Sequence, residues 1–170
     1  MSAADVATLA LAELDRAPAA DLAPHVLDVA TGTGPAALAA AHAGARAVGL
    51  DTEPALLRTA AARARRAGLA AMARFVVGDA AELPFPADSF DAVLSTFGVM
   101  FAPDAHRTAA ELVRVCRPGG IVAVASWTPT GRWAGSPRPS PGTWTGCRAH
   151  HPRPAGANPG TSGRGSHRFP

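Results

Sequence analysis

The chain has 170 residues, 48% of them hydrophobic and 17% charged, which suits one soluble globular domain with a sizeable core. No apolar run reaches the roughly 18–20 residues of a membrane span, and the two cysteines fit neither a disulfide framework nor a metal site. The formal net charge of +3 does not indicate nucleic-acid binding, because residues 1–133 hold 13 acidic and 11 basic residues. We expect a cytoplasmic protein without a membrane span, a nucleic-acid partner or a metal.

Helices and strands are predicted to alternate through most of the chain. The strands are apolar nearly throughout, which is typical of a mostly parallel sheet with helices on both faces, and the fold class is therefore α/β. Proline at the start and glycine at the end delimit two of the helices. In chain order, the prediction is a helix at 3–16, a strand at 25–30, a helix at 35–44, a strand at 46–51, a helix at 54–68, strands at 73–79 and within 89–99, a helix at 104–116 and a strand at 119–127.

The segment 134–170 differs in composition from the rest. It contains seven prolines, seven glycines and five arginines, but no Leu, Ile, Val, Met, Asp or Glu. Such a segment has little to bury, so we expect a disordered tail rich in Pro, Gly and Arg outside a domain of residues 1–133. Two origins stay open for it, a genuine flexible tail or translation of a GC-rich gene in a shifted frame.

The first predicted strand runs directly into a glycine turn, in the sequence VLDVATGTG (26–34). Glycines let the chain turn tightly and let a ligand approach the backbone, and ligands of α/β sheets bind at the carboxyl ends of strands. The turn is therefore a candidate cofactor site. Residues 32–37, GTGPAA, also fit the loose G-x-G-x-x-A fingerprint of dinucleotide-binding enzymes. An NAD(P)-dependent oxidoreductase stays open, as does a turn without any ligand.

Two further acids end the second and third predicted strands. Asp51 can accept hydrogen bonds from both hydroxyls of a ribose, and its alternative is to cap the next helix. Asp79 can accept from an adenine amino group while the Ala80 N–H reaches a ring nitrogen, and its alternative is a local turn. Acids at successive strand ends are better explained by one adenosine-bearing cofactor than by two unrelated turns.

Four stretches together resemble the successive motifs of the class I S-adenosylmethionine-dependent methyltransferases, especially the group related to ubiquinone and menaquinone C-methyltransferases. They are VLDVATGTG, VGLDTEPALL, GDAAELPFPADSFDAVLSTFGVMFAPD and AAELVRVCRPGG. The resemblance implies a Rossmann-like sheet, S-adenosyl-L-methionine as cofactor and a small-molecule methyl acceptor. The family has seven strands, so about five are expected here, with the C-terminal hairpin strands missing from a truncated or frameshifted chain.

The resemblance assigns roles to the residues of the glycine turn. Asp28 supports the turn and the methionine amino group of the cofactor. Ala30 stands where the family's D-x-G-x-G-x-G has its first glycine, and Gly32 and Gly34 are the glycines that this sequence keeps. Thr33 is expected to contact the methionine portion.

The resemblance also assigns the other side of the cofactor. Asp51 would hold the ribose hydroxyls, and Asp79 with Ala80 would hold adenine. Ser95 and Thr96 would lie near the carboxypropyl end of the methionine and the transferred methyl group. No residue is singled out as a catalytic base.

Three functions remain after these assignments. Methyl transfer is the first, with activity in doubt because the acceptor-side elements of the family find no match here. An oxidoreductase would need hydride-site residues such as a Tyr/Lys pair, and the chain contains neither tyrosine nor lysine. A non-catalytic cofactor-binding remnant is the third. We also expect the fifth strand to be an open, apolar sheet edge.

Overall fold

The computed structural model of the protein describes residues 2–14, 23–126 and 143–148. Each helix and strand predicted before residue 127 is present, with ends shifted by at most three residues, and the end of the first predicted helix and residue 127 lie outside the described part. In the described part, no helix combines the length and apolar character needed to cross a membrane. The elements are α1 (Ala3–Leu14), β1 (His25–Val29), α2 (Pro35–His42), β2 (Arg46–Asp51), α3 (Pro54–Arg66), β3 (Ala73–Val77), β4 (Phe90–Thr96), a single 3-10 turn (Val99–Phe101), α4 (Ala105–Val115), β5 (Cys116–Ser126) and β6 (Thr143–Arg148).

The strands form one sheet in the order β3-β2-β1-β4-β5-β6. The first five strands are parallel to one another, which confirms the predicted α/β, Rossmann-like fold. The strand order reverses between β1 and β4, because the chain proceeds outward from β1 to β3 and then returns to the other side of β1. In such sheets this reversal opens a crevice at the carboxyl ends of the two strands.

The antiparallel strand β6 is not predicted by the sequence, which led us to expect no structure within 134–170. It pairs with the second half of β5, from Ile121 to Ser126, so the expected open edge of β5 is not observed. The pairing uses backbone groups that an unpaired edge strand offers to any segment, and it does not require an apolar pattern in the partner. The other predicted tail residues, 134–142 and 149–170, lie outside the described part.

The two faces of the sheet carry cores of different character. One face packs against α1 and α2 through small side chains, among them Ala7, Ala37 and Ala40. The other face packs against α4 through larger side chains, for example Leu27 and Leu112. Successive residues of a strand point to opposite faces, and the alanines allow the backbones of α1 and α2 to lie close to the sheet.

The amino-terminal edge of the sheet is held by one carboxylate. Oδ2 of Asp91, in β4, accepts a hydrogen bond from the His25 N–H of β1 at 2.6 Å, and Oδ1 pairs with the Arg117 guanidinium of β5. Because β1 and β5 flank β4, this single side chain links three neighbouring strands. It lies at the opposite end of β4 from the crevice.

Ala40 lies in the core between the sheet and the helices α1 and α2, so we expect Ala40→Leu to destabilise the fold. Ala40 is fully buried under α1, and overpacking of this kind costs about 1–3 kcal/mol. Urea unfolding measures the difference. Ala43→Leu, at the exposed end of the same helix, is the matched control and should change the free energy of unfolding little; an equal loss in both variants would contradict close packing at position 40.

Candidate functional site

The turn after β1 reverses the chain in five residues by using left-handed backbone conformations. Ala30, Gly32 and Gly34 have φ angles of 55°, 57° and 81°. Glycine adopts this region freely, whereas other residues do so at a cost of about 1–2 kcal/mol. Gly34 is the N-cap of α2, and Pro35 follows at the first helical position, as the sequence predicts.

The two glycines of this turn have different surroundings. A β-carbon on Gly34 would lie 3.0 Å from Cβ of Ala60 and 3.0 Å from Cε1 of Phe75, so Gly34 is packed against α3 and β3. A β-carbon on Gly32 would have no atom within 4 Å. The turn is therefore packed against α3 and β3 at Gly34, whereas the space beside Gly32 is open.

Asp28, near the end of β1, is hydrogen-bonded both to the turn and to the start of α2. It is 2% exposed, and its Oδ2 accepts hydrogen bonds from the Thr31 hydroxyl at 2.6 Å and from the Ala37 N–H at 3.1 Å. Burial raises the pKa of this carboxyl to about 6, while the two hydrogen bonds oppose the rise. The side chain thus connects the strand, the turn and the first turn of α2.

Asp51, at the end of β2, holds the turn from the side. Its Oδ2 accepts from the Gly32 N–H at 2.8 Å, and its Oδ1 accepts from the Glu53 N–H at 3.0 Å. The alternative role of Asp51 as a helix cap is not observed, because Glu53 is the N-cap of α3 and accepts from the Ala55 N–H. Each oxygen of Asp51 accepts one bond in the structure, and a carboxylate oxygen can accept two.

Thr33 is tied to α3 by an arginine that the sequence analysis missed. Nη1 of Arg63 donates to the carbonyl oxygen of Thr33 at 3.0 Å and to its hydroxyl oxygen at 2.9 Å. Arg63 precedes the buried Ala64 on α3, so its position at the border of the buried face was a signal available in the sequence. The contact holds the tip of the turn against the helix.

Asp79 forms a local turn, which the sequence analysis gave as the alternative to a contact with adenine. Its Oδ1 accepts from the Ala81 N–H at 2.8 Å, and its own carbonyl oxygen accepts from the Glu82 N–H at 3.1 Å. Asp79 is exposed and Ala80 is half-buried. The local turn places the carboxylate at the carboxyl edge, next to the end of β3.

A pair of charged residues on α4 holds the loop that follows this turn, and the sequence analysis missed this pair as well. Glu111 accepts from the Leu83 N–H at 2.7 Å. Arg114 donates to the carbonyl oxygens of Leu83 at 3.0 Å and Phe85 at 2.8 Å, and it also bonds Glu111. The hydrogen bond from Arg114 lowers the pKa of Glu111, so this carboxylate stays charged, and able to pair with Arg114, to a lower pH than an ordinary glutamate.

Ser95 and Thr96 end β4 on the far side of the crevice. The Ser95 side chain is fully buried, and its oxygen accepts from the Val99 N–H at 3.2 Å, which closes the turn leading into the 3-10 helix. The hydroxyl oxygen of Thr96 is buried and has no hydrogen-bond partner among the described residues. Buried polar atoms without a partner are rare in folded proteins, so this one calls for an explanation.

The predicted site residues fall on both sides of the crevice. The structure brings together Asp28, Asp51 and the glycine turn through direct hydrogen bonds. Asp79 with Ala80 follows β3 at the outer side, and Ser95 with Thr96 ends β4 at the other. All of them lie at the carboxyl edge of the sheet.

The family follows from a comparison with known sequences. A sequence profile described as a methyltransferase domain matches residues 27–124, which is more than half of the chain. The chain belongs to this family, the class I S-adenosylmethionine-dependent methyltransferases. The resemblance inferred from the four motifs is thereby confirmed.

Individual relatives show how far the similarity extends along each chain. An uncharacterised protein of Mycobacterium tuberculosis is 55% identical over 107 residues, which are 63% of this chain and 38% of the relative. Demethylmenaquinone methyltransferase of Thermus thermophilus is 41% identical over 107 residues, which are 62% of this chain and 48% of the enzyme. The crystal structure of the (4+2)-cyclase SpnF superposes with a TM-score of 0.61 and 31% identity, covering 71% of this chain and 44% of the cyclase. The chain thus spans less than half the length of each of these relatives.

The buried Asp28 predicts an unusual pH dependence of stability. The unfolded chain releases this proton near pH 3.8, whereas the folded chain holds it until about pH 6. Between these values the folded state binds more protons, so the contribution of Asp28 to stability falls as the pH rises. Two pH units correspond to about 3 kcal/mol.

Urea unfolding of the wild type and of Asp28→Asn between pH 4 and 7 measures this contribution. We expect the wild-type free energy of unfolding to fall relative to that of the variant as the pH rises from 4 through 6, and the fall to level off about one pH unit higher, where the folded carboxyl is ionised. A difference that is independent of pH over the whole range would show that Asp28 does not titrate in this window.

Proposed function

We propose that the crevice between β1 and β4 binds S-adenosyl-L-methionine and that the site serves methyl transfer to a small-molecule acceptor. The observation that carries the proposal is the glycine turn after β1, where the space beside Gly32 is open and Asp51 accepts from the Gly32 N–H. The hydroxyl of Thr96, at the end of β4 on the other side of the crevice, has no hydrogen-bond partner among the described residues and supports the proposal. Both features occur at the reversal in strand order, where α/β sheets bind their ligands.

The residues present fit the cofactor. Asp51 has one acceptor position left on each oxygen for the two ribose hydroxyls. Asp79 and Ala80, at the end of β3, fit an adenine, and Asp28 would act through the turn that it supports. The cofactor-binding set that we propose is Asp28, Ala30, Gly32, Thr33, Gly34, Asp51, Asp79, Ala80, Ser95 and Thr96.

The chemistry requires little of the protein beyond binding and orientation. S-adenosyl-L-methionine supplies an already activated methyl group when it is bound. The protein must align the acceptor with this group and exclude water, and a general base is needed only for some acceptors. We assign no catalytic residue, and the acceptor is proposed only as a small molecule.

Binding without turnover is the second candidate function. The chain spans less than half the length of its relatives, and the cofactor contacts proposed here all lie between Asp28 and Thr96. One structural relative is named as a cyclase, so the fold alone does not decide the reaction. The third alternative, an NAD(P)-dependent oxidoreductase, finds no support among the comparisons. Cofactor binding is therefore the property to test first.

Isothermal titration with S-adenosylhomocysteine tests the site directly. We expect saturable binding by the wild type and its loss in Gly32→Ala, because the new methyl group enters the open space at the turn. The matched control is Gly68→Ala, since Gly68 has a left-handed φ of 72°, also faces open space, and lies beyond the end of α3. Both variants should lose similar stability, about 1–2 kcal/mol, but only Gly32→Ala should lose the ligand.

Two results would contradict the proposal. The first is the absence of measurable binding by the folded wild-type protein at millimolar S-adenosylhomocysteine. The second is binding of NADH, followed by quenching of tryptophan fluorescence, in preference to S-adenosylhomocysteine.

The hydroxyl of Thr96 can be tested without disturbing the fold. Thr96→Val removes the hydroxyl at nearly constant shape, and the loss of a hydrogen bond worth about 1 kcal/mol should weaken S-adenosylhomocysteine binding about fivefold. Stability should stay constant or rise, because the hydroxyl has no partner within the described part of the protein.

Thr108→Val is the control for this substitution. Thr108 on α4 also has a buried hydroxyl oxygen to which no described residue is hydrogen-bonded, so its effect on stability should be similar. Its effect on the dissociation constant should be absent. Equal dissociation constants for the wild type and Thr96→Val would exclude a contact between this hydroxyl and the ligand.

A further inference from the structure

Ala30 and Gly98 lie so close together across the crevice that a side chain on Gly98 would overlap Ala30. A β-carbon built on Gly98 would lie only 2.3 Å from Cβ of Ala30 and 3.0 Å from its carbonyl oxygen. Ala30 directly follows β1, and Gly98 lies between β4 and the 3-10 turn. The contact therefore joins the glycine turn to the exit of β4 at the reversal in strand order.

The backbone angles of these two residues would favour a side chain on residue 98 and glycine at residue 30, which is the reverse of what the sequence has. Gly98 has φ −102° and ψ −59°, a right-handed conformation that any residue adopts, so its glycine is required only for space. Ala30 has φ 55°, the left-handed region in which a β-carbon is unfavourable and glycine would be free of strain. The methyl group is thus present at Ala30, where the backbone angles disfavour it, and absent at Gly98, where the backbone angles would allow it but the neighbouring Ala30 does not.

Both segments are held by hydrogen bonds next to the contact, so a clash there can be relieved only by displacing groups at the carboxyl edge of the sheet. The residue after Ala30 is Thr31, whose N–H bonds the Leu50 carbonyl oxygen at 2.9 Å and whose hydroxyl bonds Asp28. The residue before Gly98 is Phe97, whose N–H bonds the Ala125 carbonyl oxygen at 2.9 Å. The ladder between β1 and β4 ends at the pair Asp28 and Leu94, so beyond it the spacing of the two segments depends in addition on the contact between Ala30 and Gly98.

We propose that the Ala30 methyl group packs against the α-carbon of Gly98, which has no side chain, and that it is the spacer that sets the width of the cofactor crevice. Gly98 is then a positioning residue, since it acts through Ala30 and through the neighbouring Thr96 and has no assigned contact with ligand. The inference rests on the proposed function, because the crevice matters to the reaction only if S-adenosyl-L-methionine occupies it. It also explains why this chain can have alanine where its family motif has glycine.

Reciprocal substitution tests the spacer. In Gly98→Ala the two β-carbons would have to separate by about 1 Å or more to reach ordinary contact, and misplacement of this size disturbs a binding site strongly. We expect the dissociation constant of S-adenosylhomocysteine, measured by isothermal titration, to rise about tenfold or more. In Ala30→Gly with Gly98→Ala the nearest remaining contacts of the new methyl group are 3.0 Å and 3.4 Å, so most of the affinity should return.

A second crowded glycine controls for a general stabilising effect of Ala30→Gly. A β-carbon on Gly120 would lie 2.7 Å from the Asp91 carbonyl oxygen, at the other end of the sheet, and Ala30→Gly should not recover the thermal stability lost in Gly120→Ala. If Gly98→Ala alone is too unstable for titration, the recovery of its melting temperature by Ala30→Gly is the deciding measurement.

The outcomes separate the spacer from the proposed function. Failure of the wild type to bind S-adenosylhomocysteine overturns the proposed function and the positioning role with it. Binding by the wild type together with an unchanged dissociation constant in Gly98→Ala overturns the spacer alone. So does a loss in Gly98→Ala that Ala30→Gly does not repair.

Discussion

The geometry of the crevice depends on one buried carboxylate. Asp28 accepts the Thr31 hydroxyl and the Ala37 N–H on a single oxygen, so the end of β1, the glycine turn and the start of α2 share one anchoring point. Burying an ionised group is costly unless hydrogen bonds compensate it, and the raised pKa of Asp28 is the consequence of that cost. An apolar side chain would be cheaper to bury, but it could not accept a hydrogen bond and would leave the turn unattached.

The two edges of the sheet differ in how well their groups are satisfied. At the amino edge, Asp91 has a partner for each oxygen, and it serves to hold three strands together. At the carboxyl edge, the structure keeps an unpartnered hydroxyl on Thr96 within the described part and left-handed conformations at Ala30 and Phe97. Strain and unmet hydrogen bonding persist in proteins mainly where function requires them. Among the described non-glycine residues with a left-handed backbone, Ala30 and Phe97 lie at the carboxyl edge and Asp88 precedes β4 at the amino edge, so the strain is concentrated at the carboxyl edge without being confined to it.

The sequence allowed the elements up to β5 and the acids at the strand ends to be predicted, because both depend on local patterns. Apolar runs bounded by proline and glycine indicate strands and helices, and a parallel sheet brings strand ends together whatever the details of packing. Arg63 escaped prediction because its partner, Thr33, is 30 residues away and the contact is to a backbone oxygen as well as a side chain. Gly98 escaped because it is required for space, which depends on Ala30, and not for a turn conformation. β6 escaped because backbone pairing with an edge strand needs no particular residue pattern.

Under the proposed function, cofactor binding and methyl transfer depend on different sets of residues and can be measured separately. The proposed cofactor contacts come from residues between Asp28 and Thr96, within the part that the family profile matches. An acceptor must approach the transferred methyl group from outside this set, and the relatives are more than twice as long as the parts that match this chain. Affinity for S-adenosylhomocysteine therefore reports on the proposed cofactor site alone, from the glycine turn to the ends of β2, β3 and β4. Methyl transfer reports in addition on how an acceptor is held, and a loss of turnover with intact affinity would locate the defect on the acceptor side.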